Sequence, residues 1–94
     1  MPDSRSSPDV TVNLVYLARL RDAFGRPGEA LTLSGGDTSV AAVLVSLRAR
    51  GEPFAAELGA GRAIRIAVNH ALVDADSVLC DGDEVALLPP VTGG

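Results

Sequence analysis

The stretch Asp81-Gly82-Asp83-Glu84-Val85-Ala86-Leu87-Leu88-Pro89-Pro90-Val91-Thr92-Gly93-Gly94 reads as a turn, a strand and an extended tail. Asp and Gly are turn formers, and residues 84–88 are apolar enough for a strand. Pro89 and Pro90 have no N–H and a fixed φ, so neither a helix nor a sheet interior continues through them. Chain of this kind stays extended. Gly93 and Gly94 carry no side chain, so the backbone there can pass a narrow channel and approach another group closely. Five extended residues, 90–94, span roughly 16–18 Å at about 3.3–3.6 Å each. That length reaches into a partner's active site, with the α-carboxylate of Gly94 at its tip.

Upstream, residues 10–17 are dense in β-branched and apolar side chains and predict a strand with Val12, Leu14 and Tyr16 on one face. Residues 18–24 predict about two helical turns stopped by Gly25, and Gly25-Arg26-Pro27-Gly28 a turn. A second strand follows over 29–33, antiparallel to the first, and then a polar loop over 34–38. The strongest helix signal comes next. Asp37, Thr38 and Ser39 all offer N-cap side chains. Val40, Val43, Leu44 and Leu47 fall on one helical face, Arg48 and Arg50 complement the dipole at its end, and Gly51 is the expected stop. Residues 53–58 predict a short helix, 63–68 a third strand with Ile64, Ile66 and Val68 inward, Asn69-His70 a turn, and 72–73 a short strand. Residues 74–83 read as loop and turn.

A single long helix after an N-terminal hairpin must bury its apolar face on the sheet, with the first and last strands adjacent in the middle. The expected fold is α+β: a ubiquitin-like β-grasp, a mixed sheet packed on one main helix, over residues 10–88. Residues 1–9, rich in Ser, Pro and Asp, read as a disordered extension, and 89–94 as the tail. Val85 and Leu87 point inward. Leu17, Leu72, Ala86 and Leu88 are then expected on a solvent-facing apolar strip beside the root of the tail, and a strip of that kind marks a partner site.

Ninety-four residues with 47% apolar content make one small domain. The net charge of −4 speaks against nucleic acid or an anionic membrane and for a partner with a basic face. All eight cations are arginines, so no side-chain amine accepts an acyl group. Cys80 is the only cysteine, which excludes an internal disulfide and fits a cytoplasmic protein. No apolar run approaches a membrane span, and the N-terminus lacks a secretory h-region.

Gly35-Gly36 and Gly59-Ala60-Gly61 are turn glycines; a phosphate loop needs a lysine that is missing. Asp74, Asp76, Asp81, Asp83 and Glu84 lack the spacing of a calcium loop and read as solvated turns; no metal is expected. His70 reads as a turn residue and Cys80 as a small packing residue. No nucleophile–base pair is arranged, and no bound cofactor is expected. What remains is the Gly94 carboxylate. Adenylation by ATP makes it an electrophile, and a sulfur nucleophile displacing AMP leaves a thiocarboxylate.

Residues 81–86 and the ending Pro89-Pro90-Val91-Thr92-Gly93-Gly94 resemble the MoaD/ThiS sulfur-carrier family, most closely its molybdopterin synthase small subunits. Val68-Asn69, Leu72-Val73 and Ala18-Arg19-Leu20-Arg21 fit the same pattern. The resemblance implies a heterotetramer with the molybdopterin synthase large subunit. It implies activation of Gly94 by an E1-like adenylyltransferase that consumes ATP, sulfur supplied by a sulfurtransferase, and insertion of Pro90, Val91, Thr92 and Gly93 into the large subunit. There the sulfur would pass to cyclic pyranopterin monophosphate in molybdenum cofactor biosynthesis. A carrier for thiamine or cysteine synthesis, a ubiquitin-like modifier joined through Gly94, and a plain binding module are the alternatives.

Overall fold

A computed structural model describes residues 9–59, 61 and 63–89. The elements are β1 (Val10–Tyr16), α1 (Arg19–Phe24), β2 (Gly28–Leu33), α2 (Val40–Arg48), α3 (Phe54–Glu57), β3 (Arg65–Val68), β4 (Ala71–Val73) and β5 (Glu84–Leu88). One five-stranded sheet has the order β2-β1-β5-β3-β4. β1 and β5 run parallel at its centre; the β1–β2, β3–β4 and β3–β5 pairs are antiparallel. This is the ubiquitin-like β-grasp expected from the order of elements.

Helix α2 lies over the inner face. Val40, Val43 and Leu47 are fully buried against Val12, Leu14, Tyr16, Ile66, Val85 and Leu87. Each side chain of this size contributes about 1.5–3 kcal/mol on burial. Ser39 is the N-cap; its Oγ accepts from the Ala42 N–H at 3.2 Å. Asp37 holds Ser39 in turn, accepting from its hydroxyl at 2.8 Å. Leu44, expected in the core, is only half-buried.

The helix ends before its expected stop. Ala49 is the C-cap, and the last turn tightens through Arg50 N–H to Leu47 O and Gly51 N–H to Arg48 O, both 3.1 Å. Gly51 supplies the positive φ, 92°, two residues past that cap. Other boundaries shift for local reasons. Ala18 takes φ 49° and serves as the junction of β1 and α1 rather than a helical residue. Residues 63 and 64 precede β3, although Ile64 still packs on the core. Residues 74–83, expected as plain loop, bury Leu79 to 2% exposure and bridge Ser39 to Val78.

A polar hub and an aromatic cluster brace the layers. Glu29, on β2, accepts from the Tyr16 hydroxyl, from Arg50 Nη1 at 2.8 Å and from Arg26 Nη1 at 3.2 Å. Tyr16, Phe24 and Phe54, the chain's whole aromatic content, pack beside it. Arg50 also lies 5.1 Å from the Phe54 ring centroid. Arg50 therefore ties α2 to β2 and α3, a larger role than dipole compensation. Burial would raise the Glu29 pKa, but hydrogen bonds from Arg50 and Tyr16 and the nearby guanidinium charges outweigh it, holding the carboxyl below its usual range.

The β1–β2 hairpin needs a glycine at its close. Gly28 lies opposite Val15, and a Cβ there would collide with the Leu14 carbonyl oxygen. Gly28→Ala is expected to lower stability by about 2–3 kcal/mol. A denaturant midpoint indistinguishable from wild type would contradict this packing.

Candidate functional site

The position of β5 decides what the sheet offers to solvent. Asp81-Gly82-Asp83 closes a turn in which Gly82 takes φ 90°, a conformation glycine adopts without steric cost. Asp83 Oδ2 accepts from the Cys80 N–H at 2.8 Å, and its Oδ1 accepts from Asn69 Nδ2 at 3.0 Å. Asn69 Oδ1 accepts from the Glu84 N–H at 3.0 Å. On the other side, Asp81 Oδ1 accepts from the Thr11 N–H at 2.8 Å, and the Asp83 carbonyl accepts from the Asn13 N–H at 2.8 Å. One turn thus locks β5 between β1 and β3 at its first residue.

Asn69 and His70 take φ 50° and 75° as the two loop residues between Val68 and Ala71. This is the left-handed geometry of a tight hairpin. His70 is the turn residue expected; its Nε2 lies 3.9 Å from Glu84 Oε2. Cys80 is exposed, so the packing reading of it is corrected: its backbone belongs to the turn and its thiol faces solvent. Asp81 and Asp83 are used on backbone N–H groups and Asn69 rather than left as a loose acidic group. Among the described residues no group of three or more His, Cys, Asp or Glu side chains gathers, and no helix is long and apolar enough to cross a membrane.

From that start, β5 alternates. Val85 and Leu87 are fully buried, while Ala86 and Leu88 are half-buried and face outward with Glu84. Registered pairs carry one apolar row across the whole sheet: Gly28 opposite Val15, Val15 opposite Ala86, Ala86 opposite Ala67, and Ala67 opposite Leu72. The small side chains in the middle keep the row flat. At the β1–β2 side it sinks into a shallow depression lined by Asn13, Val15, Pro27, Gly28 and Ala30. At the β4 side Leu72 stands out, 59% exposed. Leu88, paired with Arg65, and Leu17, whose N–H donates to the Leu87 carbonyl, lie at the end where β5 hands over to Pro89.

Of the four residues expected on the partner face, Leu72, Ala86 and Leu88 sit on this side of the sheet by register, and Leu17 is exposed just beyond β1 at the Leu88 end. The contribution of Gly28 was not foreseen, because a glycine in a turn motif gives no sign that it also flattens a sheet face. Pro90, Val91, Thr92, Gly93 and Gly94, the expected tail-insertion and reactive residues, lie outside the described residues.

The comparisons agree with this architecture. The ThiS family model matches residues 14–94, and the chain belongs to that family. It is 35% identical over 83 residues to the molybdopterin synthase sulfur carrier subunit of Escherichia coli and 32% identical over 83 residues to that of Haemophilus influenzae; each match spans 88% of this chain and 99% of the relative. Among solved structures it resembles the small archaeal modifier protein 1 of Methanosarcina acetivorans, with a TM-score of 0.68 and 30% identity, covering 93% of this chain and 99% of that one.

The turn that seats β5 should be sensitive to acid. The Cys80 N–H and the Asn69 amide hold the Asp83 carboxyl below its usual pKa. A lowered folded-state pKa gives stability that is complete above the unfolded value, about 3.9, and is lost as pH falls through the folded value. Asp83→Ala is expected to cost about 1 kcal/mol at neutral pH, modest because solvent screens the site. The difference from wild type should shrink in acid; a gap that stays constant down to acid pH in denaturant titrations would refute the charge-assisted clamp.

Proposed function

We propose that this chain is the sulfur carrier subunit of a molybdopterin synthase. The observation that carries the reading is the junction at Leu88–Pro89: the central strand, with its flat apolar outer row, leads directly into the Gly-Gly ending. In this reading the strand that carries the docking row is also the one from which the chain departs at Pro89. The relatives at 32–35% identity support it.

In this reading the domain supplies no acid, base or nucleophile. The Gly94 carboxylate attacks the α-phosphate of ATP in the active site of an E1-like adenylyltransferase, giving an acyl-adenylate and releasing pyrophosphate. The persulfide of a sulfurtransferase displaces AMP through its terminal sulfur to form an acyl disulfide, and a thiol then reduces that S–S bond, leaving a disulfide and releasing the terminus as a thiocarboxylate. The large subunit of molybdopterin synthase binds the outer row through Leu17, Leu72, Ala86 and Leu88. Pro90, Val91, Thr92 and Gly93 run into its active site, and the sulfur passes to cyclic pyranopterin monophosphate. Glycine at the last two positions leaves the acyl carbon open to attack. A second reading, a protein modifier joined through Gly94 to lysines elsewhere, is favoured by the likeness to the archaeal modifier; it shares the adenylation and differs in the acceptor.

Incubation with ATP, an E1-like enzyme and a sulfur donor, followed by thiol alkylation and intact mass measurement, tests the carrier chemistry. The exposed Cys80 takes one alkyl group in any case. A second, mapped to Gly94 with an oxygen-to-sulfur mass gain, is expected, and deletion of Gly93 and Gly94 should abolish it. Alkylation at Cys80 alone, with an activating system of proven competence, would overturn the reading.

The docking row has its own test. Leu72→Glu leaves the fold intact because the side chain is already exposed, and it should weaken binding to the large subunit by about tenfold or more. Unchanged affinity by calorimetry would place the interface elsewhere.

A further inference from the structure

The outward positions of the strands are nearly free of charge. By register they comprise Thr11, Asn13 and Val15 on β1, Gly28, Ala30 and Thr32 on β2, and Ala67, Leu72, Ala86 and Leu88 on the rest. The two exceptions are Arg65, opposite Leu88, and Glu84, opposite Asn13. They stand at opposite ends of β5, about 13 Å apart at roughly 3.3 Å per residue. The face is therefore positive where the chain leaves for Pro89 and negative at the far end.

Arg65 has no structural employment that explains it. Arg19 is paired with Glu57, Arg26 and Arg50 with Glu29, and Arg48 donates to the Leu58 carbonyl, whereas Arg21 on α1 and Arg65 are the described arginines without such a partner. Arg65 is exposed, and among the described residues it makes no hydrogen bond or ion pair. An unpaired guanidinium beside an otherwise apolar docking row costs affinity if a partner covers it without a counter-charge, and adds orientation if the partner supplies one.

We propose that Arg65 is an orientation-determining residue: it pairs with a carboxylate that the tail-accepting partner protein presents beside the entrance to its active site. This rests on the carrier reading above and specifies the partner's surface. The apolar row is nearly featureless along the strand direction, so its small side chains select no single rotation of the partner. The charges do. In the productive orientation a partner carboxylate meets Arg65 next to the tail exit. Turned end for end, the same carboxylate meets Glu84 and is repelled. The last residues of the carrier are then aimed at the entrance before they thread it.

The test is calorimetry between the full chain and the molybdopterin synthase large subunit, with wild type and the variants Arg65→Lys, Arg65→Gln and Arg65→Glu at about 50 and about 300 mM salt. Thermal unfolding of the variants should match wild type, since Arg65 has no hydrogen-bond or ion-pair partner among the described residues. Arg65→Lys should bind within a few-fold of wild type, Arg65→Gln several-fold more weakly, and Arg65→Glu at least about tenfold more weakly, with the differences narrowing as salt rises. Equal affinities for wild type and Arg65→Glu, with wild type binding well, would overturn this inference and leave the carrier function standing. Equal losses for Lys and Glu, insensitive to salt, would also overturn it, because they report packing and not charge. Failure of wild type itself to bind would overturn the carrier reading and the inference with it.

Discussion

The structure depends on the seating of β5. A strand between two neighbours has only two ways to face, and a shift of one residue exchanges them. Here such a shift would bury Ala86 and Leu88 and expose Val85 and Leu87, the latter two fully buried. The hydrophobic difference alone disfavours it. The turn at Asp81 to Asp83 sets the register at the strand's first residue, through Asn69 on one side and Thr11 and Asn13 on the other. Because β5 starts in one place, it also ends in one place, and Leu88 delivers the chain to Pro89 at a defined corner of the outer face.

The two faces of the sheet divide the work. The inner face carries the stability: Val, Leu and Ile from four strands meet α2, and the few aromatic residues close one end around Tyr16, Phe24 and Phe54. Glu29 gathers Tyr16, Arg26 and Arg50 at that end and fixes α2 over the hairpin. The outer face contributes little to the core and is free to be flat, apolar and sparsely charged. Such a surface is an unusual thing to leave open to water unless a partner covers it.

The proposed role asks no acid, base or nucleophile of the described side chains. In the proposed role, adenylation and sulfur transfer would occur in the active sites of partners, and the carrier would contribute a carboxylate and the room around it. A rigid strand leading into a short glycine-ended segment suits that division. On that proposal the domain would dock by area and charge, while glycine at the last two positions keeps the bulk at the reacting end small.

Much of this was legible in residue pattern. Residues 40, 43 and 47 spelled the buried helical stripe, and the alternation in β1 and β5 assigned their faces, because each signal is local and set by backbone geometry or side-chain period. Leu17, Leu72, Ala86 and Leu88 could be placed outward for the same reason. The sequence could not show that Leu79, inside an apparently plain loop, belongs to the core, that Arg50 crosses to Glu29 and Phe54, or that Asn69 reaches Asp83. These contacts join residues distant in the chain, and no period along it records them. Nor could it show that Gly28, Val15, Ala86, Ala67 and Leu72 form one continuous row, with Arg65 and Glu84 at its two ends. That row exists only through strand order and register, which tertiary packing decides.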